Sequence, residues 1–484
     1  MIQLSNICFE YKQGELLLKN VSLHIEAGEC VVITGASGSG KTTLGRVING
    51  LIPHYYEGNL TGDVSVNGLN PKEVASWELS QTIGSVFQNP KSQFFTSIVE
   101  DELVFEMGNY GLKPETISNH LERVLQETDL QSLRHQEVMT LSSGQKQKVA
   151  IAATQLVDPS VYVMDEPSAN LDLLATQQLS EELHKLKEKN KTIVVIEHRL
   201  HYLMEFADRI IYMKDGQIDH IYTSSELLAL SEFQREQLGL RATQLITGAV
   251  KKSSEKFTVP CCFIEEITVQ HRKAKKPTVL NLSTILNEHE VVALIGKNGV
   301  GKTTLARTIM GLQKERSGQF KLRGERLSAK QRLKKVWFVM QDTVYQLFTD
   351  SVWNEVLLNQ EEQSERVEQL LKELDLWKLK DRHPATLSGG EKQRLVLAIG
   401  IMQQADIFVL DEPTSGLDGF NLKRVAQLIR KLSKQAGHVL VITHDHELVA
   451  KCCDRVIRLE AGQIISDCCM HELEYKELIE MMSL

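Results

Sequence analysis

The stretch GASGSGKTTL at residues 35–44 returns as GKNGVGKTTL at residues 296–305. Both fit G-x-x-x-x-G-K-[ST], and each follows an apolar run of strand character: Val31, Val32 and Ile33 before the first, Val291 to Ile295 before the second. A glycine turn between strand and helix points backbone N–H groups inward and adds the positive end of the helix dipole, an arrangement that holds phosphate. The pattern therefore predicts two strand–loop–helix units in one chain. Gly35, Ser37, Gly38, Gly40, Lys41, Thr42 and Thr43 build the first loop, and Gly296, Asn298, Gly299, Gly301, Lys302, Thr303 and Thr304 the second. In such loops the lysines, Lys41 and Lys302, reach the β- and γ-phosphates, and Thr42 and Thr303 ligate Mg²⁺.

The second loop belongs to a longer repeat. The first half reads GASGSGKTT, Gln88 after SVF, LSSGQKQK, VYVMDEP, SANLD, and His198 after TIVVIE. The second reads GKNGVGKTT, Gln341 after FVM, LSGGEKQR, IFVLDEP, SGLD, and His444 after VLVIT. From the LSxG element onward the spacing between copies is constant, since 388 − 142, 411 − 165 and 444 − 198 all give 246. Before it the spacing is larger, 302 − 41 = 261, which puts extra residues in the first half; NGLIPHYYEGNLTG against MGLQKERSG marks one such insertion. With 484 residues there is room for two or three full cores. The expected division is residues 1–219, a helical appendage and linker at 220–262, and residues 263–484. Within each half apolar runs alternate with helical patterns, which argues for a mainly parallel α/β core. ETISNHLERVLQETDL and SERVEQLLKELDL carry apolar residues at helical spacing, so a helical subdomain is expected between loop and acidic strand.

Bulk properties exclude several classes. The net charge, 55 − 63 = −8, gives no basic field for nucleic acid, and the most basic stretch, His271 to Lys276, reads as a solvated loop. No apolar run reaches the roughly 18 residues needed to cross a bilayer, and the N-terminus lacks a signal-peptide pattern, so a cytosolic location is expected. The 8 cysteines, three adjacent pairs plus Cys8 and Cys30, read as reduced packing residues. Cys468, Cys469 and His471 are a weak metal candidate.

VYVMDEP and IFVLDEP are apolar on both faces, as buried parallel strands are, and each ends in two acids. Asp165 and Asp411 lie at the strand ends, where they would hold Mg²⁺ directly or through water; Glu166 and Glu412 sit one residue on, placed to polarise an attacking water. The LSxG elements begin helices. There Ser142 and Ser388 either hold a second phosphate with the N–H groups that follow or act as simple N-caps.

The ordered set resembles the ATP-binding cassette (ABC) ATPases over nearly the whole chain except the linker. The resemblance implies two P-loop cassettes, each a mainly parallel sheet with an antiparallel β part and an inserted helical subdomain, packed head to tail with ATP between one cassette's phosphate loop and the other's signature. One composite site would use Lys41, Thr42, Gln88, Asp165, Glu166 and His198 with Ser388 and Gly390. The other would use Lys302, Thr303, Gln341, Asp411, Glu412 and His444 with Ser142 and Gly144. Gln88 and Gln341 would join the Mg²⁺ ligands, and Tyr11 matches the aromatic on which adenine stacks. The corresponding position of the second half is His271, or Arg272 if the alignment slips.

A second glutamine follows each Q-loop glutamine by five residues, 93 − 88 and 346 − 341, in QNPKSQFF and QDTVYQLF. This is similar to the ATPases of energy-coupling factor transporters, which import vitamins and related micronutrients. The likeness implies a transmembrane coupling protein and a separate substrate-binding membrane protein as partners, no nucleic acid, and a peripheral place on the cytoplasmic membrane face. Phe94, Phe95, Leu347 and Phe348 are candidates for the wall of the partner groove, with core packing as the plain alternative. A fused sugar-importer ATPase and a ribosome-associated ABC factor are the rival readings. The first typically has one degenerate cassette, and the second a long charged helical linker. Two departures, Ser143 where the second half has Gly389 and His271 opposite Tyr11, place an expected weakness on the Lys302 site.

Overall fold

The computed structural model describes residues 1–11, 14, 16–245, 259–270, 276–358 and 363–483, apart from the side chains at 435 and 436. The chain divides into two compact units, Met1–Gln244 and Leu245–Leu417 with Asn421–Leu484, residues 418–420 grouping with the first. The linker's Lys/Ser run at 251–256 and His271 with its basic neighbours to 275 lie outside the described residues.

The first unit contains β1 (Ile2–Tyr11), β2 (Leu16–Ile25), β3 (Cys30–Gly35), β4 (Gly58–Val66), β5 (Ile83–Val86), β6 (Val161–Asp165), β7 (Thr192–Ile196), β8 (Arg209–Lys214) and β9 (Gln217–Tyr222). They form an antiparallel sheet, β2-β1-β4, and a mainly parallel sheet, β5-β6-β7-β3-β8-β9, in which only β9 runs antiparallel. The two sheets differ in pattern for a physical reason. Every residue of β3 and β7 is buried, as a strand covered on both faces requires, whereas β1 alternates with Ile2, Leu4, Ile7 and Phe9 inward. Because β3, β5, β6 and β7 are parallel, Gly35, Val86, Asp165 and Ile196 all end at one edge of the sheet, where α/β folds bind ligands.

The second unit repeats this plan with β10 (Pro260–Val269), β11 (Val279–Asn287), β12 (Val291–Ile295), β13 (Ser317–Leu322), β14 (Glu325–Arg326), β15 (Val336–Val339), β16 (Ile407–Asp411), β17 (His438–Ile442), β18 (Arg455–Glu460) and β19 (Gln463–Cys469). The orders are β11-β10-β13-β14 and β15-β16-β17-β12-β18-β19. The parallel core, antiparallel part and helical insertion expected from sequence are all present. In the first unit the insertion comprises helices Val99–Asn109, Pro114–Glu127 and Ser143–Val157, packed around Leu103, Leu121, Leu125 and Val149. Its counterparts are Val352–Leu357, Ser364–Glu373 and Gly389–Met402.

The appendage differs from the single helical stretch expected. It holds two short helices, Ser224–Ala229 and Glu232–Gln237, because Ser231 and Gln234 form a second capping box that restarts the helix after Leu230. Leu227 is fully buried in the first unit's core.

Candidate functional site

In each unit the phosphate loop leaves a buried strand, β3 or β12, and enters a helix, Lys41–Ile48 or Lys302–Met310. Gly35 and Gly296 hold φ of 142° and 140°, and a Cβ there would fall 2.1 Å from Met213 O and 2.2 Å from Leu459 O, so only glycine lets the loop leave its strand. At Gly38 and Gly299 the same test meets nothing within 4 Å, so there is open space beside the loop at both positions. Lys41 Nζ donates to Gly35 O at 3.0 Å and Ala36 O at 2.8 Å. Lys302 Nζ donates to Gly296 O and to Lys297 O, the latter at 2.9 Å. Burial lowers the Lys41 pKa, while Glu166 and Asp165 oppose that shift. Ser37 and Asn298 occupy equivalent loop positions, and Asn298 Oδ1 lies 2.9 Å from His444 Nε2. Thr43 and Thr304 stand in the first helical turn.

The sheet order brings the acids to these loops. Thr42 Oγ1 donates to Asp165 Oδ1 at 3.2 Å, and Thr303 Oγ1 to Asp411 Oδ2 at 3.2 Å. Glu166 and Glu412 both have left-handed backbone, φ 44° and 49°, which is rare for glutamate and costs about 1 kcal/mol or more. Each kink is pinned by a backbone bond, Glu166 N to Ile196 O at 2.8 Å and Glu412 N to Ile442 O at 2.9 Å. The kinks turn the carboxylates out of their strands toward Gln88 and the histidines. Gln88 Nε2 donates to Glu166 Oε2 at 2.7 Å, and His198 and His444 place Nε2 3.5 Å from Glu166 and Glu412. Burial, then Lys41, holds the His198 pKa well below its ordinary value, so its ring is neutral at pH 7 and acts as a hydrogen-bonding group. Gln341 takes the position equivalent to Gln88 and is exposed.

Ser142 and Ser388 are N-caps. Gln145 N donates to Ser142 Oγ at 3.3 Å and Glu391 N to Ser388 Oγ at 3.4 Å, each within a capping box. Gly144 and Gly390 follow in the first helical turn. The expected weakness from Ser143 has no conformational basis. At Gly389 the backbone is ordinary helix and a Cβ meets nothing within 4 Å, so serine at the equivalent place is unstrained. The other half of that expectation, His271 or Arg272, lies outside the described residues. Tyr11 is fixed by an edge contact with Phe9, centroids 4.8 Å apart, and by Arg46 Nη1 donating to its hydroxyl at 3.2 Å.

Phe95 and Phe348 are 75% and 80% exposed, against the core-packing alternative for these two, while Phe94 packs on the helical cluster and Leu347 is half-buried.

Sequence reasoning missed an acid. Glu197 is buried beside His198; it accepts from His198 N at 2.7 Å, Ser168 Oγ at 2.7 Å and Tyr202 OH at 2.8 Å. The second unit has Thr443 there and shifts the acid across the histidine to Asp445, which accepts from Thr414 Oγ1 at 2.6 Å. Aligning EHR with THD in the repeat is the signal that could have found the exchange.

Burial, Glu197 and Asp165 push the Glu166 carboxyl up to about 8. A raised carboxyl is protonated when folded but ionised when unfolded between about pH 4.5 and 8, so stability falls as pH rises through that window. Glu166→Gln is expected to raise the melting temperature of nucleotide-free protein by about 2–4 °C at pH 8. At pH 4.5 the gain should vanish. Thermal scans at the two pH values check it; an equal gain at both would mean the burial of Glu166 has no titrating cost.

The donor sets suit a hard divalent ion that arrives with phosphate. Each loop offers one hydroxyl and one strand-end carboxylate, and burial raises the pKa of both Asp165 and Asp411, a penalty a cation relieves. Among the described residues no group of three or more His, Cys, Asp or Glu could hold a metal. The remaining ligands would have to be phosphate oxygens, glutamine and water.

Two phosphate loops, each facing a strand-end Asp-Glu pair and a histidine at the edge of a parallel sheet, define a tandem P-loop nucleotide-binding protein. The ABC transporter family model matches residues 18–169 and 279–415, and the chain belongs to that family. Its two domains are ABC ATPase domains, which bind ATP and hydrolyse it. A Treponema denticola protein classed as an ABC transporter ATP-binding protein is 41% identical over 97% of both chains. One from Methanosarcina mazei is 31% identical over 96% of this chain and 88% of its own. Among solved structures, the RNase-L inhibitor aligns with TM-score 0.66 at 21% identity, covering 98% of this chain and 92% of that one. The archaeal ribosome recycling factor aABCE1, bound to stalk protein aP1, gives 0.64 at 21% with the same coverage. At these identities the structural likeness shows the fold alone. No helix among the described residues is long and apolar enough to cross a membrane.

Proposed function

We propose that the chain is the ATP-hydrolysing subunit of a membrane importer of the energy-coupling factor type, serving a vitamin or related micronutrient from the cytoplasmic membrane face. The observation that carries this reading is the second glutamine, Gln93 or Gln346, followed in both units by an exposed phenylalanine, Phe95 or Phe348. Exposed aromatics repeated at one loop position suit a surface covered by a partner. That partner is a transmembrane coupling protein, and a separate membrane protein selects the substrate.

In this reading Lys41 and Lys302 bind the β- and γ-phosphates, and Tyr11 stacks on adenine. Thr42, Gln88 and Asp165 hold one Mg²⁺, and Thr303, Gln341 and Asp411 the other. The ion supplies charge neutralisation at the phosphates. Glu166 and Glu412 orient and polarise water, and His198 and His444 hold the γ-phosphate. Each nucleotide is closed by the opposite cassette's signature, Ser388 and Gly390 for Lys41, Ser142 and Gly144 for Lys302.

Phe95→Ser combined with Phe348→Ser is expected to leave ATP binding and melting temperature near those of the parent. Recovery of membrane proteins with the chain from solubilised membranes should fall about 10-fold or more. Recovery with ribosomes instead of membrane proteins would overturn the importer reading, and a large drop in melting temperature would return both phenylalanines to a packing role.

A further inference from the structure

Gln93 and Gln346 mark the subfamily in sequence, and in the structure their side chains perform the same task in both units. β5 and β15 are edge strands, paired on one side only, with β6 and with β16. Such a strand leaves alternate carbonyl and N–H groups open. Gln93 Nε2 donates to Ser85 O at 3.2 Å, while its Oε1 accepts from Phe87 N at 3.3 Å. Gln346 Nε2 donates to Phe338 O at 2.7 Å, and its Oε1 accepts from Met340 N at 2.8 Å. A carbonyl and the N–H two residues later are the pair that one residue of a neighbouring parallel strand engages. A primary amide supplies the matching donor and acceptor. Each glutamine thus stands in for one residue of an absent strand, directly before the backbone reaches Gln88 or Gln341.

The segment is fastened again a few residues on. Buried Glu102 accepts from Phe95 N at 2.9 Å and Thr96 N at 2.7 Å; buried Glu355 accepts from Phe348 N at 2.9 Å and Thr349 N at 2.7 Å. Between the fastenings lies a single tight turn, Pro90–Ser92 or Thr343–Gln346. Asparagine is one methylene shorter than glutamine, leucine makes neither bond, and glutamate sets a carboxylate oxygen against the Ser85 or Phe338 carbonyl. The site therefore selects glutamine.

We propose that Gln93 and Gln346 are positioning residues, whose amides extend the sheet edge and fix the backbone from which Gln88 and Gln341 reach Mg²⁺·ATP. This rests on the reading of Gln88 and Gln341 as Mg²⁺ ligands given above. Partners of metal ligands typically change activity or metal affinity by about 10- to 100-fold when replaced.

The test uses the full chain with ATP and Mg²⁺. Gln93→Glu with Gln346→Glu is expected to lower kcat about 10-fold and to raise the half-saturating Mg²⁺ concentration severalfold, with melting temperature close to the parent. A purely structural role would move melting temperature and leave the Mg²⁺ requirement unchanged, and that result overturns the proposal. Should the variant fold poorly, amide exchange in the unmodified protein decides: Phe87 and Met340 N–H groups should be protected, and exchange at free-peptide rates overturns the proposal. Gln88→Ala with Gln341→Ala is read separately. If it leaves the Mg²⁺ requirement unchanged, the metal assignment falls, and kcat and amide exchange alone judge Gln93 and Gln346.

Discussion

Replacing Lys41 and Lys302 together by alanine is expected to reduce phosphate release from Mg²⁺·ATP by about 100-fold or more, to near background. Both ammonium groups sit in the mouth of their loops, donating to loop carbonyls within 3.0 Å in the first unit and held by equivalent carbonyls in the second. They are buried at 5% and 6% exposure, so no solvent cation takes over their role when they are removed. Alanine leaves the helix starts intact, because Gly40 and Gly301 rather than the lysines set the turn. Phosphate release at an unchanged melting temperature is the measurement, and a rate within a few-fold of the parent would show that the chemistry lies elsewhere.

The second large effect is expected at the two kinked glutamates. Glu166→Gln with Glu412→Gln should lower kcat about 100-fold while retaining ATP binding, since glutamine keeps the shape but not the charge that polarises water. The single variants should differ. Glu412 accepts from Thr443 Oγ1 and His444 N, both at 3.3 Å. Glu166 instead faces buried Glu197, which with burial keeps its carboxyl protonated up to about pH 8. At pH 7 Glu412→Gln should therefore cost more turnover than Glu166→Gln, with the difference shrinking as pH rises. In the proposed reading, Mg²⁺ held at Asp165 would shift that convergence to lower pH. Equal losses at every pH between 6 and 9 would show that the Glu197–Thr443 exchange has no kinetic weight.

Much of this was legible from residue order alone. The phosphate loops, the Asp-Glu strand ends and the histidines are local patterns whose spacing survives in a repeat, and parallel strands gather them at one edge. What stayed hidden depends on side chains that meet across the fold. Nothing local in VVIEHR says that Glu197 receives Ser168 Oγ from 29 residues away. The left-handed backbone of Glu166 and Glu412 is equally silent, because DEP gives no glycine to signal it. Gln93 and Gln346 were visible as a repeated spacing, yet their bonds to the strand edge show only in three dimensions. Of the four aromatic and aliphatic candidates after them, hydrophobicity could not separate exposed Phe95 and Phe348 from Phe94, which packs inward.

The two capping boxes described above are not electrically alike. At Ser388 the hydroxyl donates to Glu391 Oε2 at 2.8 Å, and the same carboxylate oxygen accepts from Ser388 N at 2.8 Å. At Ser142 the corresponding partner is the neutral amide of Gln145, whose Oε1 accepts from Ser142 N at 2.9 Å. One helix start is thus already occupied by an anion of its own, whereas the other presents its positive end to solvent. In the proposed reading, an incoming phosphate would have to displace Glu391 from the first and only an amide from the second. Loading of ATP against Ser388 should be slower and should quicken as added salt screens the glutamate. Against Ser142 the same salt weakens an attraction, so ionic strength tunes the two signatures in opposite directions.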